Sequence, residues 1–191
     1  SGWQRVAAGI WPWKCKDSVF QYNECYNNQY AYHGNGDGQA WDADWTDGTL
    51  YQYNYSHGNS RGAIMFCGAE AVNTTFRYNI SENELTGPLD LPGNPDAHIY
   101  NNTFYMNENI KSIFDRTGGN AVLENNIFYY GGSTPLNQNW YPGGTLQYDN
   151  NLYYNFANTP SGDKNAVVVN AGTKVLEDAG SGPSSNTSGI A

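Results

Sequence analysis

The chain is short of charge. Only 14% of its 191 residues are Asp, Glu, Lys or Arg, well below the quarter usual in globular domains. Basic residues are the scarcer kind, nine against eighteen acids, for a net charge of -9 with histidine neutral. Nucleic acid and anionic membrane surfaces both demand a basic footprint, so neither is an expected partner. Long apolar runs are lacking too; none approaches the ~20 residues of a membrane span. Residues 1–13 have neither the charged start nor the apolar stretch of a signal peptide. Cysteine is sparse: Cys15, Cys25 and Cys67 are too few and too scattered for a disulfide framework or a zinc site, and read as buried free thiols.

Aromatic residues, in contrast, make up 15% of the chain, with 16 Tyr and 6 Trp beside 22 Gly. A disordered chain would be poor in aromatics. The profile predicts an all-β protein with many turns and a surface of neutral polar and aromatic groups. Such a surface suits sugars, because ring faces stack on sugar C–H faces while amides and carboxylates bond the hydroxyls.

The chain repeats. Val19-Phe-Gln-Tyr-Asn23, Leu50-Tyr-Gln-Tyr-Asn54, Thr75-Phe-Arg-Tyr-Asn79, His98-Ile-Tyr-Asn-Asn102, Val122-Leu-Glu-Asn-Asn126 and Tyr148-Asp-Asn-Asn151 align on their last Asn. The intervals are 31, 25, 23, 24 and 25 residues. Short β-type runs at this period predict a right-handed parallel β-helix over residues 3–178, with the Asn stacked at one corner as a ladder of amides. A β-sandwich, the other all-β option, would not share one Asn at a near-constant period. Residues 179–191 read as a flexible Gly/Ser/Pro-rich tail. Ser1 leads almost directly into a coil with no capping element, so the chain is expected to be part of a longer β-helix, completed by a second chain or an N-terminal segment.

The longest interval, 31, holds Asp37, Asp42, Asp44 and Asp47. Insertions in a solenoid become loops on its working face. Alternation along Trp41-Asp-Ala-Asp-Trp45 puts Asp42 and Asp44 on one face and Trp41, Ala43 and Trp45 on the other; the acids are expected to point outward into a groove. Asp37, in a Gly-rich turn just before, can face Asp44. Paired carboxylates are what glycoside hydrolysis needs. Counting back from the corner Asn stacks Trp11 beside Asp42 and Trp13 beside Asp44, with Lys14 nearby, and continues the Asp42 column with Cys67 and Asp90. Catalytic candidates are Asp37 and Asp44; candidates for holding sugar are Trp11, Trp13, Lys14, Asp42 and His57. His57 also has a plainer reading as a corner hydrogen-bonding residue, Asp37 as a turn residue, the tryptophans as core filling, and Asp115 with Arg116 as a local ion pair.

The stretch from Gly36 to Asp44, Gly-Asp-Gly-Gln-Ala-Trp-Asp-Ala-Asp, followed by Gln52-Tyr-Asn-Tyr-Ser-His57, resembles bacterial right-handed β-helix carbohydrate enzymes. Within them it resembles glycoside hydrolase family 136, the lacto-N-biosidases. That family uses two aspartates seven positions apart in a retaining reaction, and among the four acids only Asp37 and Asp44 have this spacing. The resemblance implies Asp37 as acid/base and Asp44 as nucleophile. It also implies release of lacto-N-biose from human-milk or mucin-type glycans, no cofactor and no metal, and a secreted or cell-surface bacterial location. Family enzymes are much longer, with an N-terminal region not seen here. Two other readings remain: a Ca²⁺-dependent polysaccharide lyase, with Lys14 or Arg61 as base and Asp42 and Asp44 on the ion, and a non-catalytic glycan-binding β-helix.

Overall fold

The computed structural model describes residues 8–29, 37–177 and 179–180. Among them the regular elements are strands and one short 3-10 turn, Gly68–Glu70. The strands are β1 (Val19–Gln21), β2 (Glu24–Tyr26), β3 (Trp41–Asp44), β4 (Leu50–Gln52), β5 (Tyr55–His57), β6 (Ile64–Cys67), β7 (Thr75–Arg77) and β8 (Ile80–Glu82). They continue with β9 (Leu89–Asp90), β10 (His98–Tyr100), β11 (Thr103–Met106), β12 (Ala121–Glu124), β13 (Ile127–Tyr130), β14 (Leu146–Asp149), β15 (Leu152–Tyr154) and β16 (Val167–Val169).

Every strand pairs in parallel with its counterpart in the next coil, which makes the fold a parallel β-helix. One sheet runs β1-β4-β7-β10-β12-β14, a second β2-β5-β8-β11-β13-β15-β16, and a third β3-β6-β9. Between the first two sheets the chain turns on two residues. The first, Tyr22, Tyr53, Tyr78, Asn101, Asn125 or Asn150, takes a left-handed backbone with φ of 53–57°. The second is the repeat Asn. The repeat Asn is not itself the left-handed residue; it supplies the expected ladder of hydrogen bonds. Asn79 Oδ1 accepts from the main-chain N–H of Asn54 at 2.9 Å and from Asn54 Nδ2 at 3.0 Å. Asn102, Asn126 and Asn151 repeat the pattern one coil at a time, and Asp163 closes it by accepting from Asn151. Each left-handed tyrosine costs about 1–2 kcal/mol. The ladder offsets that cost by satisfying buried main-chain donors that would otherwise be orphaned.

Side chains facing inward form one apolar core, and their sizes complement each other across it. In the early coils the large inward residues Tyr51 and Phe76 come from the first sheet, and the second sheet answers with Ser56 and Ser81. In later coils the second sheet supplies Phe104, Phe128 and Tyr153. Close packing in a narrow tube permits little else. The three cysteines are free, as expected, but half-buried rather than buried.

Candidate active site

The third sheet carries the acids. Trp41 and Ala43 point into the core, packed with Ile64, Phe66 and Leu89 of the next strands. By the alternation of a strand, Asp42 and Asp44 lie on the outer face. In register, Asp42 is followed by Met65 and Asp90, and Asp44 by Cys67. Trp13 bridges to Asp44 and Ile10 to Trp41, so Trp11 and Trp13 stand beside Asp42 and Asp44. Both indoles are exposed. Lys14 Nζ sits 4.6 Å over the Trp13 ring.

The structure corrects four expectations. Cys67 lines up with Asp44, not with Asp42, because the 3-10 turn Gly68–Glu70 lengthens the path to the corner Asn. Trp45 is not inward: its φ of 55° ends the alternation, and half of its surface is exposed. Asp42 is outward but not open to solvent, being only 3% exposed. Residues distant in sequence lie over this face: Gln39 Nε2 donates to Asp90, and Arg116 Nε donates to both Asp90 oxygens at 2.8 and 3.0 Å. Asp115 and Arg116 are no local pair; Asp115 Oδ2 accepts from Arg61 Nε at 2.7 Å.

His57 is not brought to this face. It ends β5 in the second sheet, 3.1 Å from Glu24 Oε1, with its ring stacked on Tyr26 and Tyr55. Asp47 is apart as well, paired with Lys16 at 2.8 Å and accepting from Asn73. The stretch 30–36, including the start of the Gly-rich turn, lies outside the described residues.

Asp37 arrives just ahead of β3. The main chain that follows it is already tied to its neighbours: Arg61 N–H donates to Gly38 O, and Gly9 N–H to Gln39 O. A Cβ on Gly38 would fall 2.3 Å from Ser60 Oγ and 3.0 Å from Arg61 Cγ, so a side chain beside the acid would have to displace both. The acids feel one another. Burial pushes Asp37 above the ordinary carboxylate range; the charge of Asp44 adds to this, while Arg116 and Arg61 oppose it. Burial, then the charges of Asp37, Asp44 and Asp90, push Asp42 up to about 8 against the pull of Arg116. Asp42, Asp44 and Cys67 place their oxygens and sulfur within 4.8 Å of one another, and burial with these two aspartates pushes the Cys67 thiol up to about 12. The result is a carboxyl inclined to hold a proton, a neighbouring carboxylate on a fixed strand, and exposed tryptophans alongside. Gln39, Asp90 and Arg116 as a group escaped sequence reasoning, since nothing local links positions 39, 90 and 116.

No family model matches the chain. It is 56% identical over 185 residues to a lacto-N-biosidase of Bifidobacterium longum subsp. longum, an alignment covering 95% of this chain and 12% of that protein. Two crystal structures of a family 136 lacto-N-biosidase from Eubacterium ramulus, native and selenomethionine forms, superpose with a TM-score of 0.56 at 48% identity, covering 63% of this chain and 19% of theirs. The chain thus spans only a small part of the relatives it matches. Along 95% of its own length it is similar to part of a lacto-N-biosidase, in accord with the resemblance its acidic segment bears to glycoside hydrolase family 136.

Proposed function

We propose that this chain carries the catalytic centre of a retaining glycoside hydrolase that releases lacto-N-biose from human-milk or mucin-type oligosaccharides. The observation that carries the reading is the outer face of β3, where Asp44 stands between Trp13 and Cys67 with Asp37 close enough to feel its charge. The similarity to lacto-N-biosidases supports the substrate class.

The glycan lies across the outer face, its rings against Trp11 or Trp13 and its hydroxyls held by Lys14. Asp37, whose pKa burial raises, donates its proton to the glycosidic oxygen as Asp44 attacks the anomeric carbon. A glycosyl ester forms on Asp44. Asp37, now a carboxylate, takes a proton from water, which attacks the anomeric carbon a second time, expels the Asp44 carboxylate and frees the sugar with its original anomeric configuration. The steps call on no cofactor. Arg116 and Arg61 oppose the upward push on Asp37, and Arg116 that on Asp42. Portions of the enzyme beyond this chain complete the β-helix and the sugar sites, and the enzyme works outside the bacterial cell or on its surface.

In the enzyme that carries this chain, Asp37→Asn and Asp44→Asn should each lower kcat on lacto-N-tetraose by about a thousandfold while leaving the circular dichroism spectrum unchanged. An undiminished kcat in either variant sinks the two-aspartate assignment. Loss of activity on chelation together with an unsaturated product would replace it with the lyase.

A further inference from the structure

Trp45 is held in a left-handed conformation that glycine fills in the two coils that follow. The third residue after each member of the column Trp11–Asp42–Met65–Asp90 turns the chain at this corner. These residues are Lys14 (φ 55°), Trp45 (φ 55°), Gly68 (φ 68°) and Gly93 (φ 86°). A left-handed backbone suits glycine and strains a bulky side chain. Folding alone would favour glycine at 45, as at 68 and 93. The indole is not kept for the core, since half of it is exposed and it is absent from the buried cluster. It follows Asp44 directly in the chain, so the strained turn sets it on the rim of the acid-bearing face. Strain retained against the local preference points to use.

Its surroundings say what the use is. Lys14 Nζ lies 5.4 Å over the Trp45 ring and 4.6 Å over the Trp13 ring. Among the described residues no carboxylate or carbonyl accepts from this ammonium. Two exposed ring faces with a donor held between them are the chemistry that grips a hexose: the C–H face stacks on the indole and the hydroxyls accept from the amine. Resting on the glycosidase reading above, we infer that Trp45 is a sugar-binding residue of the groove, closing with Trp13 around Lys14 on the glycan ring beside Asp44.

Trp45→Gly separates this role from a structural one, because it relieves the strained turn while removing the ring. The variant is expected to unfold at a midpoint temperature equal to or above that of the parent, yet to bind lacto-N-biose at least tenfold more weakly by titration calorimetry. Its KM on lacto-N-tetraose should rise by a similar factor, and Trp45→Tyr should recover most of the loss. Sugar affinity unchanged in Trp45→Gly, or affinity lost only together with a lowered unfolding midpoint, overturns the inference and leaves the glycosidase reading standing. A parent enzyme that neither binds nor cleaves these glycans overturns that reading, and the inference falls with it.

Discussion

Asp42 sits in a setting far from the ordinary one of a carboxyl group. It faces outward on β3, yet it is buried and its Oδ1 finds no hydrogen-bond partner among the described residues. A carboxylate left that way is costly, so the group keeps its proton up to about pH 8. Between the ordinary value of 3.8 and that value, the native chain holds a proton that the unfolded chain has released. Stability therefore falls as pH rises through this window, with a slope of up to about 1.4 kcal/mol per pH unit for one group. Asp42→Asn removes the ionisation and keeps the shape. Unfolding midpoints of this variant, measured from roughly pH 5 to pH 8, should decline less steeply than those of the parent; equal slopes would show that Asp42 is not the titrating group. From sequence, the strand alternation correctly placed this residue outward. Its covering was illegible, because Gln39, Asp90 and Arg116 meet over the sheet only after the coils have stacked.

At the scale of elements, the corner ladder is the device that fixes the coil period. Asn79 alone accepts two hydrogen bonds from Asn54 and donates to Tyr51 O and Asn102 Oδ1. Asn79→Ala orphans the buried N–H of Asn54 and the carbonyl of Tyr51 together, and should cost about 3 kcal/mol in urea unfolding; a loss below about 0.5 kcal/mol would mean that the ladder is decorative. This corner was legible because one residue type recurs at one interval. A second ladder was not. Asn28 N–H donates to Asn59 Oδ1 at 3.1 Å, and Asn59 N–H to Glu84 Oε2 at 2.6 Å. Its spacings, 31 and 25, match those of the first, but the change from Asn to Glu hid the series. Burial pushes Glu84 up to about 7, against hydrogen bonds from Asn59 and Ser81 that favour its charge. Glu84 thus adds to the same fall in stability with rising pH. The Cys67 offset has the same kind of origin: a count from the corner is only as good as the turn it crosses, and the 3-10 turn Gly68–Glu70 is longer than its counterpart after Asp44.

Across the whole molecule, the groove is a consequence of stacking. Trp13 and Lys14 come from one coil, Asp42, Asp44 and Trp45 from the next, Met65 and Cys67 from a third, and Asp90 from a fourth, while Arg61, Arg116 and Asp115 come from the segments between strands. In-register parallel pairing brings residues about two dozen positions apart side by side. The repeat alone therefore made the aromatic wall beside Asp44 legible, and it left the arginines unassigned.

The central claim is that Asp44 attacks the sugar and Asp37 handles the proton. An aryl lacto-N-bioside with a good leaving group needs little help from an acid, so the Asp37→Asn enzyme should still form the glycosyl ester and then stall for want of a base. Peptide mapping by mass spectrometry after brief incubation tests this directly. The account predicts a lacto-N-biosyl increment on the peptide bearing Asp44, absent in the Asp37→Asn/Asp44→Asn double variant. The increment on another acid, or turnover of the aryl substrate with no trapped ester and an inverted product, would contradict it.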